Sequence, residues 1–176
     1  KSFGSGMFVY PHGIFIDEEN NVWTTDGQGK DGKGQQVVKF SSEGKVLLTL
    51  GKAGVAGDGP DTFNKPSDVA IAANGDIFVA DGHGGDDSNA RVVKFSKDGK
   101  FIKAWGKKGA APGKFDAPHS LAFDSGGRLF VADRGNNRIQ IFDQDGKFID
   151  QWKQFSRPTG VFIDKNDTLY VSDSDS

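Results

Sequence analysis

The sequence predicts an all-β protein built from β-propeller blades. The main support is one segment that recurs four times, opening at a proline and closing at an aspartate after two short apolar runs. The interval between proline and aspartate is identical in every copy, whereas the distance from one copy to the next varies. A fixed unit joined by variable connections indicates a repeat architecture. The opening residues are Pro11, Pro66, Pro118 and Pro158, and the closing residues are Asp26, Asp81, Asp133 and Asp173.

Each full copy contains four predicted strands. In the second copy, the apolar runs 69–71 and 77–80 flank a turn whose asparagine and glycine favour a tight hairpin. A third run follows at 91–95, and an Asp-Gly turn leads into a fourth at 100–105. Four antiparallel strands in a repeat of roughly 40 to 50 residues are typical of a propeller blade.

These blades form a single partial propeller over residues 1–176. We predict blades at about 11–51, 66–106 and 118–153 and a half blade at about 158–176, which makes about three and a half blades. A propeller closes into a ring of typically 4 to 8 blades, and the closure protects the edges of its sheets. We therefore expect that further blades of a longer chain, or a partner chain, complete the ring.

Composition argues against several functions. The net charge is −2 and the lysines and arginines are scattered, so the chain lacks the basic surface with which proteins bind nucleic acid. No apolar run approaches the ~18 residues of a membrane-spanning helix. The chain has no cysteine, which excludes disulfides and thiolate metal sites.

The residue that follows each proline is the main clue to function. It is His12, Ser67, His119 and Thr159 in the four copies, so histidine alternates with a hydroxyl residue. The first strand of each blade lines the central channel, so equivalent residues of alternate blades in a six-bladed ring face each other roughly 120° apart. Three such imidazoles would hold a zinc ion and leave a fourth position open. We predict that His12 and His119 bind metal, with channel-lining histidines without metal as the alternative.

These motifs resemble those of NHL-repeat propellers. The segments PHGIFID at 11–17, LFVAD at 129–133 and NRI at 137–139 stand where that family has its blade opening, second strand and turn into the third strand. The order of the motifs along the chain is similar to that in the peptidyl-α-hydroxyglycine α-amidating lyases. This resemblance implies a six-bladed ring, a secreted or extracytoplasmic location, and zinc held by three histidines in Pro-His steps. His12 and His119 would be the first two, and the third would lie in a fifth blade.

The resemblance also implies roles for two further residues. Arg134 follows Asp133 at the position of an active-site arginine of the family. Its guanidinium would bind a substrate carboxylate through paired hydrogen bonds, or would bridge to a neighbouring blade. His83 stands where the family has a tyrosine base. We interpret His83 as a general base, a third ligand or a substrate contact, with a flexible polar loop as the alternative.

The remaining acidic residues receive simpler interpretations. The four strand-ending aspartates are predicted to join blades, because every copy keeps one. Asp86 and Asp87, together with Asp81, form a candidate structural calcium site, for which a solvated loop is the alternative.

The resemblance, together with the alternating histidines, leads us to predict a metal-dependent, lyase-like propeller related to carbon–nitrogen lyases. It would act on a small carbinolamide-like substrate or a peptide in the central channel, with His83 and Arg134 as catalytic residues and zinc on His12 and His119. The alternative is a non-catalytic propeller that binds a protein or a ligand, because a fold alone does not determine chemistry.

Overall fold

The computed structural model describes residues 2–174 as three and a half blades of a β-propeller, as the sequence predicted. Blade 1 contains β1 (Pro11–Ile16), β2 (Val22–Lys30), β3 (Lys33–Phe40) and β4 (Val46–Leu50). Blade 2 contains β5 (Pro66–Ile71), β6 (Ile77–Asp81), β7 (Arg91–Phe95) and β8 (Phe101–Trp105). Blade 3 contains β9 (Pro118–Phe123), β10 (Leu129–Asp133), β11 (Arg138–Phe142) and β12 (Phe148–Trp152). The half blade contains β13 (Pro158–Ile163) and β14 (Leu169–Asp173).

Each blade is an antiparallel sheet whose strands lie in chain order. In the first hairpin of every blade, the opening proline lies opposite the closing aspartate, as in the pairs Pro66 with Asp81 and Pro118 with Asp133. The fixed interval in the sequence is therefore the length of this hairpin. Between residues 2 and 174 the structure has no helix with the length and hydropathy to span a bilayer.

The apolar core lies between the blades, because alternate residues of each strand face the blade before and the blade after. One cluster joins blades 1 and 2 and includes Trp23 and Val79, while a second joins blades 2 and 3 and includes Phe78 and Val131. The connectors add one buried phenylalanine to each cluster, Phe63 to the first and Phe115 to the second. Packing of neighbouring blades therefore depends on the connectors as well as on the strands.

The ends of the arc are more exposed than its middle. Every residue of β6 and β10, in the two central blades, is buried. By contrast, Ile14 in blade 1 is 71% exposed and Phe162 in the half blade is 63% exposed. Within residues 2–174, blade 1 and the half blade therefore each pack against one neighbouring blade instead of two.

The closing aspartates join each hairpin to the connector that precedes it. Asp133 is fully buried and accepts hydrogen bonds from the backbone N–H of Asp116 (2.7 Å) and from Arg138 Nε (2.8 Å). Asp81 likewise accepts the backbone N–H of Asn64 and pairs with Arg91. Burial raises the pKa of Asp81 to about 6, and the Arg91 charge opposes this shift. These carboxylates act as structural acceptors at the blade junctions.

We expect Asp133→Ala to destabilise the fold strongly. The Arg138 guanidinium is buried against Asp133 and would be left unpaired, which typically costs about 3–5 kcal/mol. Asp173→Ala is the matched control, since exposed Asp173 accepts the equivalent backbone N–H groups of Ser156 and Arg157 without a buried cation. We expect it to cost about 1 kcal/mol. Urea unfolding of both variants measures the difference, and equal losses would contradict the role given to Arg138.

Candidate metal centre

The structure brings His12, His83 and His119 together at one end of the central channel. One ring nitrogen of each lies within 4.8 Å of the corresponding nitrogens of the other two. The ring centroids are 4.6 Å apart for His12 and His83, 4.7 Å for His12 and His119, and 5.0 Å for His83 and His119. Within residues 2–174, no other set of histidine and carboxylate side chains converges in this way. All three histidines of the chain are therefore in one cluster.

A local irregularity of the hairpin directs the two Pro-His side chains into the channel. In blade 3, Pro118 pairs with Asp133 and Ser120 with Ala132, so His119 is an extra residue without a partner on β10. The register shifts at the same place in blade 1, next to His12. Such bulges change the direction of a side chain relative to the regular strand. The residue after the proline occupies this position, and its identity determines what faces the channel.

Each Pro-His imidazole is oriented by the backbone of the next blade. His12 Nδ1 lies 2.7 Å from the Ser67 carbonyl oxygen, and His119 Nδ1 lies 2.6 Å from the Thr159 carbonyl oxygen. A carbonyl oxygen only accepts hydrogen bonds, so Nδ1 carries the hydrogen in both rings. In the neutral ring Nε2 then carries the lone pair, which is the state of a histidine that binds a metal through Nε2.

The hydroxyl residues that alternate with histidine supply the accepting backbone carbonyls. Ser67 and Thr159 belong to the blades that supply the accepting carbonyls. Ser67 is fully buried, and its hydroxyl donates to the Pro118 carbonyl of the following blade. At Gly13 an added Cβ would lie 2.6 Å from the Ser67 oxygen, so a side chain there would push the two strands apart.

His83 reaches the cluster from the loop 82–89, between β6 and β7. Gly82 and Gly84 flank it with φ of 149° and 108°, a conformation that favours glycine. An added Cβ at Gly82 would lie 2.0 Å from the Asn89 oxygen, so the base of the loop can close only with glycine there. The His83 carbonyl accepts a hydrogen bond of 2.7 Å from the Arg134 guanidinium. Arg134, which follows β10 of blade 3, therefore contacts the loop of blade 2 that carries His83.

The environment keeps two of the imidazoles neutral. Burial lowers the pKa of His119 to about 3, with a further contribution from the Arg134 charge. Burial also lowers the pKa of His83 to about 4, and the charges of His12, Arg134, Lys65 and Arg157 act in the same direction. Neutral imidazole is the form that binds a metal, so protons compete weakly for these two nitrogens near neutral pH.

Tyr10 also lies at the cluster, although no motif in the sequence pointed to it. Its ring centroid is 5.9 Å from that of His12 and 6.0 Å from that of His83. The Tyr10 backbone N–H donates to Asp26, and an added Cβ at Gly27 would lie 3.4 Å from the Tyr10 ring. The position of Tyr10 in the repeat could have indicated its role, because it immediately precedes a blade-opening proline. The residues at this position are Tyr10, Lys65, Ala117 and Arg157. The charges of two of them, Lys65 and Arg157, also act on His83.

The candidate calcium ligands are not brought together. The Asp81 carboxylate is occupied by Asn64, Asn89 and Arg91. Asp86 pairs with Lys108 at 3.2 Å, and Asp87 pairs with Lys65 at 2.6 Å. The two exposed carboxylates therefore point to different lysines instead of a common ion.

A cavity of about 530 Å³ continues from the cluster along the channel-lining strands β1, β5, β9 and β13. Its walls are mostly apolar, and Asp68 is the one ionisable carboxylate among the lining residues. Asp68 accepts hydrogen bonds from the backbone N–H groups of Val69 and Leu121 and from the Ser120 hydroxyl. Burial nevertheless raises its pKa to about 6. Asp68 therefore joins blade 2 to blade 3 below the metal centre.

Comparison with known proteins supports the fold and the family resemblance. The family model for the NHL repeat matches residues 115–142, which include β9 to β11. The chain contains an NHL repeat and is similar to the NHL-repeat β-propellers. It is 42% identical to human NHL repeat-containing protein 3 over 130 residues, and 42% identical to peptidyl-α-hydroxyglycine α-amidating lyase 1 of Drosophila melanogaster over 130 residues. The family resemblance seen in the sequence is confirmed.

These matches cover most of this NHL-repeat chain but a smaller part of the relatives. The aligned region is 71% of the chain and 37% of the human protein, and 68% of the chain and 22% of the fly lyase. Among solved structures, virginiamycin B lyase from Staphylococcus aureus has a TM-score of 0.64 at 18% identity, covering 93% of this chain and 49% of that one. At this identity the structural likeness supports the propeller fold alone.

We expect Asp68→Asn to change how the stability of the chain depends on pH. Burial raises the Asp68 pKa from an ordinary value of 3.8 to about 6, so the folded chain keeps a proton that the unfolded chain loses. This contribution to stability is present below about pH 4 and is lost as the pH rises through about 6. For a pKa difference of about two units, this contribution to the free energy of unfolding amounts to roughly 3 kcal/mol.

The asparagine variant should therefore gain stability relative to the wild type between pH 4 and pH 7, measured by urea unfolding at several pH values. His83 and His119 titrate in part of the same range but with the opposite sign, since their pKa values are lowered. Because both proteins contain them, their effect cancels in the difference. A difference that does not change with pH would contradict the raised Asp68 pKa.

Proposed function

We propose that the chain forms part of a zinc-dependent lyase whose metal ligands are His12, His83 and His119. The observation that carries this proposal is the convergence of three imidazoles, two of which donate Nδ1–H to carbonyl oxygens. Three protein ligands with one position left open are typical of catalytic zinc. Zinc bound there would polarise a substrate oxygen or lower the pKa of a bound hydroxyl group.

The surrounding charges favour an anionic substrate group. The charges of Arg134, Arg157 and Lys65 all act on His83. Arg134 uses one guanidinium nitrogen for the His83 carbonyl, and its other donors have no protein partner in the described part of the chain. Those donors are available to a carboxylate. The cluster thus combines a metal site with a carboxylate site, which suits a small substrate that carries both a hydroxyl group and a carboxylate.

A peptide that ends in α-hydroxyglycine has these two groups and is the substrate named for the fly relative. In the proposed reaction the hydroxyl proton leaves its oxygen, a C=O double bond forms, and the C–N bond breaks. The nitrogen takes up a proton, so the products are a peptide amide and glyoxylate. The reaction needs no oxidant or further reactant.

His83 is proposed as a ligand, and the proton-transfer role first considered for it passes to another residue. All three imidazoles are used by the metal in this proposal, which leaves Tyr10 as the neighbouring ring with an exchangeable proton. Burial lowers the pKa of the Arg134 guanidinium, and its interaction with Tyr10 opposes this shift, so the Tyr10 side chain and the guanidinium are electrostatic neighbours. Tyr10 would accept the hydroxyl proton of the substrate.

A second candidate function is metal binding without catalysis. It is favoured by the departure at His83, since the lyase family has a tyrosine at that position and this chain has an imidazole in the cluster. The human relative is as similar to this chain as the fly lyase is, and its name refers to the NHL repeat without naming a reaction. Zinc binding without glyoxylate production would support this candidate.

We expect the wild-type chain to bind one zinc ion, and His12→Ala, His83→Ala and His119→Ala each to weaken binding by at least about tenfold. The reason is that two imidazoles make an incomplete site. Zinc content after dialysis and competition with a chromophoric chelator measure the effect. Asn74→Ala is the control, since the Asn74 side chain is exposed and bonds to Asp76 in a hairpin turn.

Full zinc binding by the His83→Ala variant would show that His83 is not a ligand. A wild-type chain that binds no zinc would contradict the metal-dependent function altogether.

We expect Tyr10→Phe to lower kcat by roughly 10²-fold while zinc content stays the same, because the variant keeps the ring but loses the proton-accepting oxygen. Glyoxylate release from an acylated peptide ending in α-hydroxyglycine is the assay. The chain has two tyrosines, and Tyr170→Phe is the matched control because its hydroxyl bonds to exposed Asp164 in the half blade. Equal activity of both variants would remove Tyr10 from the mechanism.

A further inference from the structure

The loop that carries His83 is held by three cations from three separate segments. Arg134, which follows β10, donates to the His83 carbonyl at 2.7 Å. Lys65, before β5, pairs with Asp87 at 2.6 Å, and Lys108, in the connector between blades 2 and 3, pairs with Asp86 at 3.2 Å. The position of His83 therefore depends on residues outside its own hairpin.

These contacts differ in strength. Asp86 and Asp87 are largely exposed, and ion pairs in solvent are screened and contribute little. Lys65 and Lys108 also donate to the loop carbonyls of Gly84 and Gly85, but at 3.4 Å and 3.3 Å these hydrogen bonds are much longer than the 2.7 Å bond from Arg134. Arg134 is partly buried, and its charged donor bonds directly to the backbone of His83. The Arg134 backbone is itself fixed, since its N–H donates to the Ala117 carbonyl and the next N–H donates to the Asp116 carbonyl. Of the three cations, Arg134 is thus placed to determine where the His83 imidazole lies.

We propose that Arg134 is a positioning residue of the metal centre, which orders the loop 82–89 through the His83 carbonyl and thereby raises the affinity for zinc. This inference rests on the proposed function, since it concerns the same three histidines. It differs from a role in substrate binding, because its effect is present without any substrate. The same hydrogen bond joins blade 3 to the loop of blade 2 that would supply the His83 ligand.

A purely electrostatic effect of Arg134 would change the zinc affinity in the opposite direction. The positive charge of Arg134 lies near the histidines and repels a divalent cation, so its removal alone would tighten zinc binding. Loss of the hydrogen bond would release the loop and weaken zinc binding. The direction of the change in affinity therefore distinguishes positioning from charge.

Arg157 provides a matched control. Its charge also acts on His83, but no hydrogen bond or ion pair joins its side chain to the loop 82–89. Arg157→Met should remove a neighbouring positive charge and leave the loop in place. Arg134→Met removes charge and hydrogen bond together while keeping the apolar stem, and Arg134→Lys keeps the charge but loses the planar fork.

The test uses the 176-residue chain and two measurements on each variant. Zinc affinity is determined by chelator competition, and hydrogen–deuterium exchange of residues 82–89 is followed in metal-free protein. We expect Arg134→Met to weaken zinc binding by about tenfold, as is typical when a residue that orients a ligand is lost, and to speed exchange in the loop. Arg134→Lys should lie between Arg134→Met and the wild type. Arg157→Met should leave exchange unchanged and zinc affinity equal or higher.

The inference is overturned if Arg134→Met binds zinc as well as the wild type or more tightly and its loop exchanges at the wild-type rate. If the wild type binds no zinc, the proposed function fails, and exchange in metal-free protein still decides whether Arg134 orders the loop. Should Arg134→Met unfold, Arg134→Lys provides both measurements, with wild-type behaviour in both as the contradicting result.

Discussion

The hydrogen bonding of the closing aspartate at the start of each blade is the constraint on which the rest of the structure depends. Asp133 accepts from the connector before its own blade and lies opposite Pro118, so one carboxylate fixes both the length of the hairpin and the path of the chain into it. Because the aspartate holds the proline end of the strand in place, the residue between Pro118 and Ser120 has no partner across the hairpin. The bulge that directs His119 into the channel is a consequence of this arrangement.

The histidine cluster is likewise a feature of the junctions between blades. Each Pro-His imidazole bonds to the carbonyl of the next blade, and Arg134 reaches from blade 3 to the His83 loop of blade 2. A change in the angle between blades would therefore move the histidines relative to one another. The apolar clusters between the blades, together with the buried Phe63 and Phe115 of the connectors, keep this angle fixed. Packing far from the channel contributes in this way to the geometry of the site.

The fold could be predicted from the sequence because its determinants are local and repeated. Strand pattern, turn residues and the constant interval from Pro11 to Asp26 each recur, so every copy tests the interpretation of the others. His12 and His119 could be singled out in the same way. The positions of His83 and Tyr10 could not, because they depend on how a glycine-rich loop folds and on which way the residue before a proline points. The repeat does not determine the direction of either side chain, which depends on contacts made in three dimensions.

His83 also bears on what kind of metal site this is. The family resemblance implied a third histidine from a fifth blade, and a third ligand was also one of the roles considered for His83; the structure places the His83 imidazole, from blade 2, in the cluster. Three nitrogen ligands leave one position open, as catalytic zinc requires, but four would close a tetrahedral site and make it structural. With His83 as a ligand, a further Pro-His step on a later blade would therefore oppose catalysis instead of completing the site. Under the proposed function, a histidine at that position would thus favour a metal-stabilised binding propeller over a lyase.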